Sequence, residues 1–408
     1  MSEKNIVIIG GGQAASQVAI SLRQKNFTGD ISILSSEEYH PYQRPPLSKK
    51  YLSGELDSER LYLKPKKFYE DQNINVMLNS YVEEIDRSNS KLTFSKNNGE
   101  ESTINYDNLV ISTGTSPRLI PLDNPNLKGV HYLRSIKDVE EIKKSLIGAK
   151  SMVIIGGGYI GLEVAAVSKK LGLNVTVVEM ANRILERVTS PIISSFYHSY
   201  HESNGVEIRT STSVIGINGD LNVSSVETSS GIIEADIVVV GIGVLPCQDL
   251  AEKAGIETNN GIVVNEFCIS SDSNIFSAGD CTLHPSAFYK RDIRLESVHN
   301  AIEQGKTVAS SIMGEFIPYN QIPWFWSDQY DLKFQIAGLN TDYDEHIVRG
   351  QPENNSFSVF YFKDGNMISS DCVNSAPEHM MSRRFIFNKT EVDLEKLQNK
   401  EIPIKEVI

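Results

Sequence analysis

The sequence predicts an α/β protein with two doubly wound domains and a smaller α+β domain at the C-terminus. Three observations carry this. An apolar run opens into glycines at Asn5-Ile-Val-Ile-Ile-Gly10-Gly-Gly12-Gln-Ala14-Ala15. The same run and turn recur at Ser151-Met-Val-Ile-Ile-Gly156-Gly-Gly158-Tyr159-Ile160-Gly161. After about residue 320 the pattern changes to aromatic and strand-like, as in Pro323-Trp324-Phe-Trp326-Ser-Asp-Gln-Tyr330 and Phe357-Ser-Val-Phe-Tyr361-Phe.

Each glycine turn is read as the phosphate-binding corner of a Rossmann-like unit. The apolar run is a buried strand, the first glycine permits the tight turn, and the second lets backbone approach a pyrophosphate at a helix N-terminus. One such turn is a weak signal; two in matching context imply two dinucleotides. The first unit reads as strand 5–9, helix 13–25 and strand 31–35, with Lys25 to Asp30 as the connection. The second reads as 151–155, 159–171 and 175–179. Glu179 then ends the second unit's second strand, where a carboxylate can accept hydrogen bonds from a ribose 2'-hydroxyl and repel a 2'-phosphate. NADH is therefore expected over NADPH. The first-unit counterpart is Ser35, followed by Ser36 and Glu37.

Leu109-Val-Ile-Ser-Thr113-Gly114 and Ile237-Val-Val-Val-Gly241-Ile-Gly243 read as strands running into glycine turns where the chain crosses between domains. Asn274-Ile-Phe-Ser-Ala-Gly279-Asp280 places an acid at a strand end, within reach of a ligand hydroxyl. The expected division is 1–112 with 242–320, then 113–241, then 321–408.

Composition excludes several classes. With 40% hydrophobic and 22% charged residues the chain is expected to be ordered almost throughout. A formal net charge of -13 disfavours nucleic acid and anionic membranes as partners. There is no signal-peptide pattern at the N-terminus and no apolar run of about 18 residues, so a cytoplasmic location is expected. The four cysteines, Cys247, Cys268, Cys281 and Cys372, form no close-spaced pair, so neither a metal site nor a redox disulfide is expected.

Further segments are more specific than the glycine turns: Arg44-Pro-Pro-Leu-Ser-Lys49, Gly156 through Glu163, Glu186-Arg-Val-Thr-Ser-Pro191, Ala278-Gly-Asp280-Cys, Glu296-Ser-Val298-His-Asn-Ala and the aromatic stretch from Pro323. With these the whole chain resembles the NADH-dependent ferredoxin reductases of the glutathione-reductase-like flavoprotein class. The resemblance implies non-covalent FAD, NADH as co-substrate, and hydride transfer between them. It also implies onward transfer of single electrons to a [2Fe-2S] ferredoxin that serves a cytochrome P450 or ring-hydroxylating dioxygenase.

The resemblance also assigns residues. The FAD pyrophosphate lies over Gly10, Gly12 and Ala14, its adenosine ribose near Ser36, with contacts from Lys49, Val82, Arg134, Asp280 and Val298. A member of the family has an acid where this chain has Ser36, which leaves Glu37 as the alternative ribose contact. The cofactor-binding set is completed by Ala15, Thr113, Gly114, Tyr159, Ile160 and Gly243, in or beside the glycine turns. Lys49 and Glu163 are brought together as the catalytic pair, the lysine stabilising negative charge on the flavin and the glutamate placing the nicotinamide. Trp324 and Trp326, otherwise ordinary core aromatics, would line the electron exit, with Asp328 and Gln329 on the same turn shaping the flavin face.

His299 is expected as a satisfied structural histidine and Cys281 as a small buried hydrophobe. Ferredoxin would dock near the flavin edge on a basic patch drawn from Lys290, Arg291, Arg294, Lys333, Arg383 and Arg384. NADH oxidases, peroxidases and coenzyme A disulfide reductases share the scaffold but need a cysteine in the segment Tyr39 to Ser48, which has none. A rubredoxin or monodehydroascorbate reductase stays open, as does an interaction protein of the apoptosis-inducing-factor type, though long extra segments are lacking. Oligomeric state is open.

Overall fold

The computed structural model describes residues 4–122, 124 and 127–408. The chain opens with β1 (Asn5–Ile9), α1 (Gln13–Gln24) and β2 (Asp30–Leu34), and continues with β3 (Ile74–Met77) and β4 (Asn108–Ile111). A second set follows: β5 (Val130–Tyr132), β6 (Ser151–Ile155), α2 (Tyr159–Lys170), β7 (Asn174–Val178), α3 (Pro191–Ser203), β8 (Glu207–Arg209) and β9 (Ile237–Val240). Then come β10 (Ile275–Ser277) and α4 (Val298–Ile312). The last stretch holds β11 (Trp324–Gln329), β12 (Leu332–Gly338), β13 (Glu345–Gln351), β14 (Ser356–Lys363), β15 (Asn366–Val373) and α5 (Ala376–Asn388).

Two compact units form, one from 1–43, 59–116 and 245–323, the other from 44–58, 117–244 and 324–408. In the first, a parallel sheet runs β10-β4-β1-β2-β3. Its strands are mostly apolar, as in Ile6–Ile9 and Leu109–Ile111, because both faces of the sheet are covered. Ile6 and Ile8 enter one core with Val18, Leu22 and Val308, while Val7 and Ile9 enter another with Leu92, Phe94 and Ile262. On the first face α1 and α4 pack closely where Gly305 lies: a Cβ there would come 2.9 Å from Cβ of Gln17.

The second unit repeats the plan as β8-β7-β6-β9-β5, again parallel. It adds an antiparallel sheet, β11-β12-β15-β14-β13, with α5 against it. Leu162, Ile193 and Tyr197 share one core with Phe334, Phe357 and Tyr361 of this sheet. The excursion 44–58, which carries Lys49, clusters with this unit. Among the described residues no helix is long and apolar enough to cross a membrane.

Candidate functional site

In the first unit the turn after β1 is forced by Gly10, whose φ is +114°. A Cβ there would sit 2.3 Å from the carbonyl oxygen of Ser112, and one on Gly11 equally close to Oγ of Ser35, whereas Gly12 faces open space. Gly12 caps α1 with extended backbone, no side chain caps the helix and no acid stands in its first turn. The leading N–H groups of α1 are therefore left for an anion.

Around this turn, Ser36 is exposed. The carboxylate of Glu37 accepts the hydroxyl of Tyr42 at 2.6 Å. Val82 is buried. Thr113 donates its hydroxyl to the carbonyl of Cys247 at 2.6 Å, and the carbonyl of Gly114 accepts the Cys247 N–H at 2.9 Å. Val298 begins α4, capped by the Ser297 side chain.

Asp280 follows Gly279, whose φ of +93° turns the chain beside Ala14. Sequence reasoning missed what holds it. Gln304, fully buried in α4, accepts the N–H of Gly279 at 2.7 Å and the hydroxyl of Thr282 at 2.9 Å, and donates to Nδ1 of His284 at 3.0 Å. The detectable signal was its place on the apolar face of a long helix. His299 and Cys281 are buried, and burial pushes the Cys281 thiol pKa up. Arg294, expected in a docking patch, is engaged locally instead, paired with Glu296 at 2.8 Å and donating to the carbonyl of Asp280 at 3.2 Å.

In the second unit Gly156 has φ +109°, and its Cβ would lie 2.4 Å from the carbonyl oxygen of Gly241. Gly158 is the open, uncapped start of α2, again without an acid in the first turn. Gly161 lets α2 approach the turn, since a Cβ would fall 2.2 Å from the carbonyl oxygen of Gly156. The Glu179 carboxylate sits under this turn, accepting the N–H of Gly157 at 2.7 Å and that of Ala181 at 2.8 Å. The next arginine, Arg183, is occupied with the carbonyls of Thr189 and Glu186. Gly243, at φ +107°, stands beside the guanidinium of Arg187. Ile160 is exposed, whereas Tyr159 packs its ring on Phe325 and Phe334.

Lys49 and Glu163 meet. Lys49 follows the short turn Pro45–Ser48. Its Nζ lies 2.7 Å from Oε2 of Glu163 and donates to the carbonyl of Pro45 at 3.1 Å. Glu163 is only 4% exposed. Its carboxylate also accepts the Ser48 hydroxyl on Oε2 and the Ser327 hydroxyl on Oε1, the latter at 2.6 Å. Burying an ion pair is tolerated when the remaining lone pairs are met in this way. Arg134 is fixed through its backbone, its carbonyl accepting Nη1 of Arg44 at 2.7 Å and its N–H donating to Asp138.

Trp324 and Trp326 stand on the edge strand β11 with ring centroids 5.6 Å apart. The Arg383 guanidinium lies 4.9 Å from the Trp324 ring centre and His379 meets that ring edge-on. The expectation that Asp328 and Gln329 share a turn is corrected, because both belong to β11. Strand alternation exposes Asp328 and buries Gln329.

Residues 4–305 match the family model for pyridine nucleotide-disulphide oxidoreductases, and 324–408 match the reductase C-terminal domain. The chain belongs to the pyridine nucleotide-disulphide oxidoreductase family. It is 40% identical to rhodocoxin reductase of Rhodococcus erythropolis over 98% of this chain and 93% of that protein. To putidaredoxin reductase of Pseudomonas putida it is 38% identical over 99% and 96%. The structure also resembles the reductase in the crystal structure of the covalent putidaredoxin reductase–putidaredoxin complex, with TM-score 0.95, 38% identity and coverage of 100% and 98%.

Proposed function

We propose that the protein is an FAD-dependent NADH:ferredoxin oxidoreductase, delivering electrons to a [2Fe-2S] ferredoxin that serves a cytochrome P450 or ring-hydroxylating dioxygenase. The observation that carries this reading is that each unit holds an open, uncapped glycine turn and that a lysine–glutamate pair forms at Lys49, just after the Tyr39 to Ser48 segment in which thiol-dependent relatives need a cysteine and this chain has none. Cys268, Cys281 and Cys372 are buried, and burial pushes each thiol pKa up, so none is a ready nucleophile.

The first turn fits FAD. Its open Gly12, unshared helix N–H groups and first helical turn without an acid suit a pyrophosphate. Bound there, FAD supplies the exchange between a two-electron hydride donor and one-electron carriers. Ser36 or Glu37 takes the adenosine ribose, and Val82, Thr113, Gly114, Asp280 and Val298 complete the contacts. The second turn takes NADH, with Glu179 accepting from the ribose and repelling a 2'-phosphate. Lys49 presents positive charge where negative charge develops, and Glu163 holds Lys49 in place. Trp324 and Trp326 face the acceptor, and Lys333, Arg383 and Arg384 supply local cations for an acidic ferredoxin. We assign 1–112 with 242–320 to FAD, 113–241 to NADH and 321–408 to the acceptor side, in a cytoplasmic enzyme.

The test is NADH-driven cytochrome c reduction by the FAD-loaded protein with and without a [2Fe-2S] ferredoxin. A large ferredoxin-dependent increase is expected. Flavin bleaching by NADH with no gain from ferredoxin would overturn the acceptor assignment in favour of rubredoxin or a small molecule such as monodehydroascorbate.

A further inference from the structure

We infer that Ser327, Gln329 and His201 are positioning residues, a one-way hydrogen-bond chain that fixes the Glu163 carboxylate against Lys49. The inference rests on the reading of Lys49 and Glu163 as the working pair and names what orients it. All the members lie in the second unit, and Ser327, Gln329 and His201 are each fully buried.

The direction of every bond follows from one charge. Glu163, paired with the Lys49 ammonium, can only accept, so the hydroxyl proton of Ser327 points at Oε1, 2.6 Å away. The serine oxygen must then act as acceptor toward its other neighbour, so the Gln329 amide turns its Nε2 to Ser327 at 3.1 Å. The opposite amide orientation would set two acceptor oxygens against each other with no proton between them. That leaves Oε1 of Gln329 facing Nε2 of His201 at 2.8 Å, where only an N–H is compatible. His201 is therefore the Nε2–H tautomer, and its Nδ1 is free to accept the Tyr330 hydroxyl at 3.5 Å. Burial pulls the His201 pKa down to about 4, consistent with a neutral ring.

Four donors thus point the same way, ending on the carboxylate. Aligned hydrogen bonds polarise one another in a low-dielectric interior. An amide in the middle cannot hand a proton on without leaving its amide form, so the chain orients the carboxylate and does not conduct. It also ties α3 and β11 to the ion pair, so the strand bearing Trp324 and Trp326 is mechanically joined to Glu163.

The first measurement is 15N-1H NMR of the histidine rings in the FAD-loaded protein at pH 7, with His201 assigned by its loss in His201→Phe. A protonated Nε2 and bare Nδ1 are expected; a protonated Nδ1, or a ring protonated on both nitrogens, overturns the chain. The second compares anaerobic flavin reduction by NADH in Lys49→Met, Ser327→Ala and Gln329→Met. Loss of one hydrogen bond to a charged group predicts slowing on the order of tenfold in kcat for Ser327→Ala with NADH KM little changed, and a smaller slowing for Gln329→Met. If Lys49→Met is slow and Ser327→Ala is as fast as wild type, the inference falls while the pair stands. If Lys49→Met is also unimpaired, the pair itself has no role, and a functional role for the chain falls with it.

Discussion

The two glycine turns share a backbone and differ in what lies beneath it. Gly10 and Gly156 have φ values of +114° and +109°, and each turn opens an uncapped helix. Under the middle glycine, however, the first copy places the hydroxyl of Ser35 and the second the carboxylate of Glu179. Where the first helix has Ala15 the second has Gly161, which draws α2 onto its own turn. Where the first has Gln17, which donates along its helix to Ser21, the second has Glu163, buried and paired with Lys49. The backbone makes either copy a dinucleotide site. On the proposed reading, the carboxylates of Glu179 and Glu163 mark the second copy as the site of the exchanging coenzyme and the first as the one that retains a cofactor.

The most severe way to break the comparison is to spoil each turn separately. Gly10→Ala and Gly156→Ala each put a side chain in a left-handed conformation, about 1–3 kcal/mol of strain. Each also drives Cβ to 2.3 or 2.4 Å from a carbonyl oxygen. Gly10→Ala should lose bound flavin, whereas Gly156→Ala should keep flavin and raise the NADH KM at least about tenfold. Flavin content per chain and NADH kinetics separate the two; identical losses in both variants would erase the distinction.

Next in size is the ion pair. Lys49→Met leaves the buried Glu163 charge without its cation, a loss of roughly 3–5 kcal/mol in stability. Its thermal midpoint should fall well below that of a Gln17→Met control, and a matching midpoint would show the pair to be dispensable. Glu179→Ala removes the acceptor for two backbone N–H groups, roughly 1–3 kcal/mol. The NADH to NADPH preference in kcat/KM should drop about tenfold or more, whereas Ser35→Ala should leave coenzyme preference untouched.

The smallest effect sharpens the contrast within the second unit, between Glu163 and the buried carboxyl of Asp371. Among the described residues, Asp371 has no ion-pair partner. It accepts the hydroxyls of Tyr361, at 2.6 Å, and Thr189, and burial raises its pKa to about 7. An unfolded aspartate titrates near pH 4, so the folded chain binds this proton more tightly. The stabilisation is complete below about pH 4 and is lost as pH rises to about 7. Asp371→Asn should therefore gain in thermal midpoint relative to wild type between pH 5 and pH 8; a constant difference across that range would contradict the raised pKa.

Much of the scaffold was legible because its signals are local. Strands such as Ile6–Ile9 are apolar throughout only when covered on both faces, and glycines at Gly10 and Gly156 mark positions where a side chain meets backbone. The meeting of Lys49 with Glu163 came from family resemblance, since nothing in their spacing brings residues so far apart together. Gln304, Gln329 and His201 were not legible. Each is polar, and polar residues are exposed by default. Their burial depends on partners 20 or more residues away, His284 for the first and each other for the rest. Asp328 and Gln329 were misread as a turn because the polar pair conceals strand alternation.

The most direct test of the account is anaerobic mixing of the FAD-loaded protein with NADH or NADPH at equal, limiting concentration while flavin absorbance is followed. Rapid bleaching by NADH and much slower bleaching by NADPH is the predicted result. Equal rates would contradict the role of Glu179, and no bleaching by either would contradict the assignment of two coupled nucleotide sites.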